Sequence, residues 1–173
     1  MMKFVVASIL LVSASVLAAP QGEATRLVQA PQLDGLVAAD VAWADVTAMT
    51  GFTQVQPQEG APASQRTEVF MGFTDDTLYL GIICYDDEPD QIIVSNSQRD
   101  SGLGDEDSVR FVIDSFRSEQ SGFVFGTNPA GLEFDGQIVN TGANNFRNKG
   151  INTNWDTTWA VSYTHLRANA TLR

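Results

Sequence analysis

Apolar and polar residues alternate along the middle of the chain with the two-residue period of β-strands. Thr67–Phe73 places Val69, Met71 and Phe73 on one face, and Thr77–Asp86 carries apolar residues on both faces, which predicts a central strand. Further strands are predicted at Ile92–Ser97, Ser108–Phe116, Gly122–Asn128, Leu132–Asn140 and Thr158–Val161. Short strands separated by turn residues, without a long helical period, predict an all-β fold. The expected architecture is an antiparallel β-sandwich of jelly-roll or immunoglobulin-like type, with two sheets.

The N-terminus has the pattern of a secretion signal. Lys3 precedes an uncharged run from Phe4 to Ala19, and Val16-Leu17-Ala18 is a small-residue cleavage pattern, so cleavage is predicted after Ala18. The alternative is a membrane anchor, but a spanning helix needs about 20 apolar residues, and the uncharged run from Phe4 to Ala19 is shorter than that. The prediction is an exported protein of the periplasm, outer membrane or extracellular space, with signal peptide 1–18, flexible leader 19–30 and domain 31–161.

Residues 162–173 differ in character from the domain. They contain no acidic residue and no strand alternation, and they resemble a translated sequencing adapter. We therefore expect a non-native tail and a natural protein that continues beyond Val161. The only histidine, His165, lies in this tail, so no nucleophilic triad or haem ligand is assigned to it.

The charge balance restricts the class of partner. The chain has a formal net charge of −11, and loss of Lys3 with the signal leaves 9 basic and 21 acidic groups, near −12. Such a field repels nucleic acid and anionic lipid, and it suits a neutral ligand or a hard cation. The alternative is that acidity serves solubility alone. Cys84 is the only cysteine, so no internal disulfide forms.

Two motifs contain all three tryptophans. The first is Pro31-Gln32-Leu33-Asp34-Gly35, which continues to Asp40 and Trp43, and the second is Asn152-Thr153-Asn154-Trp155-Asp156-Thr157-Thr158-Trp159. Together they resemble the opening and closing signatures of the family 9 carbohydrate-binding module. They resemble in particular the version found at the N-terminus of large bacterial outer-membrane proteins. The resemblance covers roughly residues 31–161 and implies a non-catalytic β-sandwich that binds a neutral saccharide or polysaccharide.

The aromatic residues divide into a core plug and candidate ligand contacts. Asp40 is predicted to cap a helical turn that carries Trp43 into the core. A pyranose ring presents C–H groups that lie flat against an indole, and its hydroxyls bond planar polar groups at the rim. Trp155 is the candidate wall for such a sugar and Trp159 a weaker one, with packing as the alternative for both. The resemblance adds Arg99 and Asn152 as hydroxyl contacts.

The chain departs from the sugar-binding members of the family in one respect. Those members hold the sugar between two tryptophans, whereas no tryptophan occurs between Trp43 and Trp155. The alternative is therefore an accessory domain that kept the fold without sugar binding and packs against a downstream outer-membrane segment of the same parent protein. A further alternative is the binding module of a glycoside hydrolase whose catalytic domain lies elsewhere. No catalytic residue is assigned within this chain.

The acidic segment 100–107 is a candidate metal site. Asp100, Asp105 and Asp107 lie in a loop that contains glycine, and calcium sites gather six to eight oxygens from such loops. The family resemblance implies structural Ca²⁺. The alternative is a solvated turn in which Asp105 or Asp107 caps neighbouring backbone.

Overall fold

Two β-sheets form the part of the chain that the computed structural model describes, residues 20–139 and 150–164. The first contains β1 (Thr25–Arg26), β2 (Thr67–Phe73) and β3 (Leu78–Cys84) in that order; the second contains β4 (Val109–Ile113), β5 (Ser121–Thr127), β6 (Phe134–Val139) and β7 (Ile151–Asn152). Neighbouring strands are antiparallel except β1 and β2. Helical structure among these residues consists of three short 3-10 helices, at Val37–Ala39, Val41–Trp43 and Pro89–Gln91. The predicted all-β, mainly antiparallel fold class is confirmed. It has two sheets, as a β-sandwich requires, and their face-to-face packing stays a prediction.

The predicted strand at Ile92–Ser97 is wrong. The backbone N–H of Ile93 donates to Asp107 Oδ2 at 2.7 Å, and the N–H of Ser95 donates to Glu106 Oε2 at 2.7 Å. Acidic side chains of the following loop thus take the donors that a strand ladder would use. The segment is irregular, although its apolar residues fit the strand pattern.

The predicted strand at Thr158–Val161 is also wrong, because this segment has no regular structure. Its neighbour Thr157 donates its backbone N–H to Asp135 Oδ2 at 2.9 Å, which is a side-chain contact and not a ladder bond. The short strand β7 follows residues 140–149, which lie outside the described residues, at a place where the sequence predicts no strand. Strand β1 lies within the predicted leader.

The prediction that β3 is a central strand is wrong, since β2 lies between β1 and β3. Apolar residues on both faces of a strand indicate that both faces are covered by other parts of the protein. They do not indicate whether the strand has a hydrogen-bonded neighbour on each of its two edges. One face of β3 contributes Gly81 and Ile83, which are buried, whereas Leu78 on the other face is 49% exposed.

The core of the first sheet forms around Trp43, as predicted. The Asp40 side chain accepts a hydrogen bond from the N–H of Ala42 at 2.9 Å and caps the helical turn that delivers the indole. Trp43 is 7% exposed and lies 6.0 Å from Phe70, measured between ring centroids. A Cβ on Gly81 would come within 3.1 Å of the indole, so the close packing of Trp43 on β3 favours a residue without a side chain at this position.

The second sheet has two chemically distinct faces because alternate residues of β5 point in opposite directions. Val124 is buried on one face in a cluster with Leu103, Leu132, Phe134 and Ile138. The opposite face carries Phe123 and Phe125, with Phe111 of β4 stacked on Phe125 at 5.3 Å. This half-buried aromatic face positions the candidate site.

The opening motif and the end of the described chain are in contact. Thr164 Oγ1 donates to the backbone carbonyl of Asp34 at 2.7 Å. Gly35 has φ +78°, and a Cβ there would lie 2.7 Å from the Thr164 nitrogen, so the close approach requires glycine. The predicted signal peptide and residues 165–173 of the predicted tail lie outside the described residues. In residues 20–139 and 150–164, no helix has the length and apolar character needed to cross a membrane.

Candidate functional site

Trp155 rests on the aromatic face of the second sheet. Its ring centroid lies 4.6 Å from that of Phe123 with 30° between the planes, and its edge contacts Phe125 at 6.3 Å and 80°. The indole is half-buried. A ring supported from below and partly open to solvent can stack on an incoming apolar surface without reorganising.

Asn152 shapes the turn that presents this tryptophan. Its backbone carbonyl accepts the N–H of Trp155 at 3.3 Å, and its side-chain Oδ1 accepts the N–H of Asn154 at 3.2 Å. Asn152 is exposed and lies at the end of β7, paired with Gln137 of β6. Its side-chain oxygen is therefore engaged in the turn, and its amide N–H groups are the polar atoms that it could offer to a ligand.

Trp159 contacts the same face from the side. Its ring meets Phe125 edge-on at 5.6 Å and 77°, and it is half-buried. Its indole Nε1 is buried and has no hydrogen-bond partner in the described part of the chain. Trp159 therefore packs against the sheet and is less suited than Trp155 to stack on a ligand.

Arg99 lies at the centre of a cluster of carboxylates next to Trp155. Nη1 donates to Glu133 Oε2 at 2.6 Å, and Nη2 donates to Asp135 Oδ1 at 2.7 Å and to Asp156, the residue after Trp155. Nη2 also lies 3.4 Å from the carbonyl of Thr157, and Nε is 3.9 Å from Asp100 Oδ2. We call this group the Arg99 cluster: Arg99, Asp100, Glu133, Asp135 and Asp156. It brings Arg99 into contact with Asp156 and Thr157, which follow Trp155 in the chain.

Asp135 is the buried anchor of the Arg99 cluster. It is 1% exposed, yet it holds Arg99 through Oδ1 and the N–H of Thr157 through Oδ2. A buried carboxylate needs such partners to offset its desolvation. Asp135 therefore connects the segment that follows Trp155 to the start of β6.

The electrostatics of the cluster fix the charge state of Arg99. Burial lowers the pKa of Arg99, but the attraction of Asp135, Asp156, Glu133 and Asp100 outweighs it, and the pKa is raised above the ordinary arginine value. The guanidinium stays protonated and its donors face protein carboxylates. A sugar hydroxyl would therefore have to compete with these carboxylates for the guanidinium of Arg99. The solvent-accessible oxygens of Asp156 and Glu133 are more open to a hydrogen bond from a ligand.

Three residues of the site were missed by sequence reasoning: Glu133, Asp135 and Asp156. Asp156 follows the predicted wall residue directly, and Asp135 interrupts the apolar residues of a predicted strand. An acidic residue within a strand is a signal for a buried ion pair, since burial is tolerated only with a partner. The sequence gives no pattern that identifies Arg99 as the partner of Asp135, because the two residues lie 36 positions apart.

A second polar network fixes the loop that carries Arg99. Asn128 is 2% exposed; its Nδ2 donates to the carbonyl of Asn96 at 2.7 Å and to Glu106 Oε2 at 3.1 Å. Glu106 Oε2 also accepts the backbone N–H groups of Ser95 and Asn96. These bonds, the Ser95 bond above all, together with the bond from Asn128, hold the pKa of Glu106 below its ordinary value. The network joins the start of the Arg99 loop to the turn after β5.

The three predicted calcium ligands are not gathered at one point. Asp100 belongs to the Arg99 cluster, Asp107 caps the N–H of Ile93, and Asp105 is exposed. Within residues 20–139 and 150–164, no group of three or more His, Cys, Asp or Glu side chains is placed to hold a metal ion. The arrangement does not fit the oxygen cage that calcium needs, and calcium at this loop stays a prediction.

An open groove elsewhere lacks the features of a specific site. It has a volume of about 590 Å³ and is lined by Pro20, Gln21, Gly22, Glu23 and Met49. This lining offers one charged side chain and no aromatic ring. The Trp155 face with the Arg99 cluster is therefore the better candidate.

Comparisons of the chain with protein-family models, with curated proteins and with solved structures found no match. The resemblance to the family 9 carbohydrate-binding module thus rests on the two tryptophan motifs, and the function it implies is a proposal.

Proposed function

We propose that this chain is a non-catalytic carbohydrate-binding module of an exported bacterial envelope protein. Trp155 is the ring that stacks on the saccharide, and the rim of the Arg99 cluster, with Asn152, contacts the hydroxyls. The observation that carries the proposal is the placement of Trp155: half-buried, stacked on Phe123 at 4.6 Å, and followed directly by an exposed carboxylate.

The chemistry of the site supports a polyhydroxylated ligand. Sugar hydroxyls donate to ionised carboxylates in charge-assisted bonds, which are roughly twice as strong as neutral ones. The side chain of Asp156 is 71% exposed and that of Glu133 is 31% exposed, so both can accept such bonds. An aromatic surface with a few polar groups at its rim is the usual composition of a small-molecule site.

The second candidate function is an accessory domain without sugar binding. It is favoured by Trp159, whose ring packs on Phe125 and whose Nε1 is buried without a partner in the described residues. In this alternative the aromatic face is a packing layer for another segment of the parent protein, and Trp155 belongs to that layer.

Titration calorimetry with cello-, xylo- and manno-oligosaccharides separates the two functions. We expect the wild type and Trp159→Phe to bind at least one series, and Trp155→Ala to lose binding while it keeps the wild-type circular dichroism spectrum. Trp159→Phe is the matched control because it changes an indole on the same face. Binding by Trp155→Ala at wild-type affinity, or no binding by the folded wild type, would favour the accessory domain.

A further inference from the structure

The Arg99 cluster holds one cation and four anions. Asp100, Glu133, Asp135 and Asp156 each have an oxygen within 3.9 Å of a guanidinium nitrogen of Arg99. In residues 20–139 and 150–164, these four carboxylates form ion pairs with Arg99 alone. At neutral pH the cluster therefore carries a formal excess of three negative charges.

Most of this excess lies on side chains that reach the solvent. Asp135 is sealed at 1% exposure and its charge is matched by the adjacent guanidinium. The side chains of Asp156, Asp100 and Glu133 are 71%, 35% and 31% exposed. Asp135 lies opposite Phe125 in the ladder between β5 and β6, and the Trp155 ring contacts Phe125, so the Arg99 cluster lies on the same face of the sheet as the indole.

The charge balance of the cluster limits which ligands Arg99 can bind. An arginine next to an aromatic wall is suited to bond the carboxylate of an acidic sugar. Here Glu133, Asp135 and Asp156 already occupy the Nη atoms. An incoming uronate would meet exposed carboxylates, and like charges at short range repel.

We infer that the saccharide site at Trp155 is selective by charge: it binds amino sugars with a free ammonium group most tightly, neutral sugars next, and uronic acids least. This inference rests on the proposed function and names the class of ligand for the same site. The ammonium bonds the exposed oxygens of Asp156 and Glu133 while the C–H face of the ring stacks on Trp155. The acidic surface of the chain as a whole favours the same order of approach.

Three oligosaccharides of equal length and linkage isolate the effect of charge. β-1,4-linked oligomers of glucosamine, glucose and glucuronate share one backbone geometry and differ in the group that is charged. We expect their affinities to fall in that order at mildly acidic pH, where the amines are protonated and the carboxyls ionised. The ends of the series should differ by at least about tenfold, equivalent to about 1.4 kcal/mol.

A matched pair of variants assigns the effect to the site. Asp156→Asn and Asp105→Asn remove the same charge, but Asp105 lies outside the Arg99 cluster. We expect Asp156→Asn to reduce the ratio of the affinity for the glucosamine oligomer to the affinity for the glucuronate oligomer several-fold. Asp105→Asn should leave this ratio of affinities unchanged. Equal affinities for the three oligomers, tighter binding of glucuronate, or equal effects of the two variants would overturn the inference while the proposed function stands. Binding of none of the three would count against the proposed function itself.

Discussion

The ring of Trp155 lies 4.6 Å from the ring of Phe123, and the two planes are 30° apart. The phenyl ring comes from β5, whose alternation turns Phe123 and Phe125 to one face, and the indole comes from a turn near the end of the described chain. A stacked pair of this kind gives the indole a fixed support, and Trp155 as a whole stays half-buried. The proposed stacking surface therefore comes from the turn after β7 and is supported by the sheet.

Trp43→Ala is expected to destabilise the protein by about 3–5 kcal/mol, the usual loss for a large buried aromatic residue. The indole is 7% exposed and packs with Leu27, Val46 and Phe70. Urea denaturation measures the change, with Trp155→Ala as the comparison because Trp155 is half-buried. Equal losses for the two variants would contradict the distinction between a core plug and a ligand wall.

Arg99→Gln is expected to lower the melting temperature by a few degrees and to speed amide exchange at Thr157. Removing the guanidinium leaves the buried Asp135 without its cation, and an unpaired buried charge is strongly unfavourable. Arg99→Lys should restore little, because a point charge cannot bond several carboxylates through a planar fork. Adding Asp135→Asn to Arg99→Gln should recover part of the stability; a further loss would argue against this pairing.

Asn128→Ala is expected to cost about 1–3 kcal/mol or more, since it leaves buried backbone groups without partners. The side-chain Oδ1 accepts the N–H of Ala130 at 3.0 Å and of Leu132 at 3.1 Å, and Nδ2 bonds Asn96 and Glu106. Asn154→Ala, at an exposed position, is the control and should change stability by less than about 0.5 kcal/mol. Denaturant unfolding of both variants tests the difference.

Glu106 is expected to make stability depend on acidity. Its pKa is lowered in the folded protein, first by the backbone N–H of Ser95, so the folded state binds a proton less readily than the unfolded chain. The stabilising contribution is then present above the unfolded value of about 4.3 and is lost as the pH falls through the lower folded pKa. Across this window the free energy of unfolding should change less with pH for Glu106→Gln than for the wild type, and equal pH dependence of the two proteins would contradict this role of Glu106.

The calcium site that the family resemblance implies predicts that millimolar calcium raises the melting temperature, whereas the described contacts of the loop predict no change. The carboxylate of Asp107 already accepts the N–H of Ile93, and Asp100 lies beside Arg99, so binding would have to displace both. A ligand that binds only the folded state raises the melting temperature. A rise that Asp105→Ala abolishes would instead establish the calcium site that the family resemblance implies.

Sequence alone determined the features that depend on neighbours along the chain. Alternation at Val69, Met71 and Phe73 predicted β2 with its observed bounds, because side chains of a strand change face at every residue. The spacing from Asp40 to Trp43 predicted the capped turn and the buried indole, because the cap bond spans two residues. Both signals are local, and the structure confirms both.

Tertiary structure alone decided the partners of Arg99 and the place of β3. Glu133, Asp135 and Asp156 lie 34, 36 and 57 positions away from Arg99, and no periodicity of the chain relates such positions. The edge position of β3 likewise depends on which strands pair, whereas the apolar pattern reports only what covers its faces. Ile92–Ser97 has the apolar pattern of a strand, but carboxylates from a loop more than ten residues away take its backbone donors. Contacts between segments distant in sequence thus set the charge and the support of the site, and these contacts leave no local pattern in the sequence.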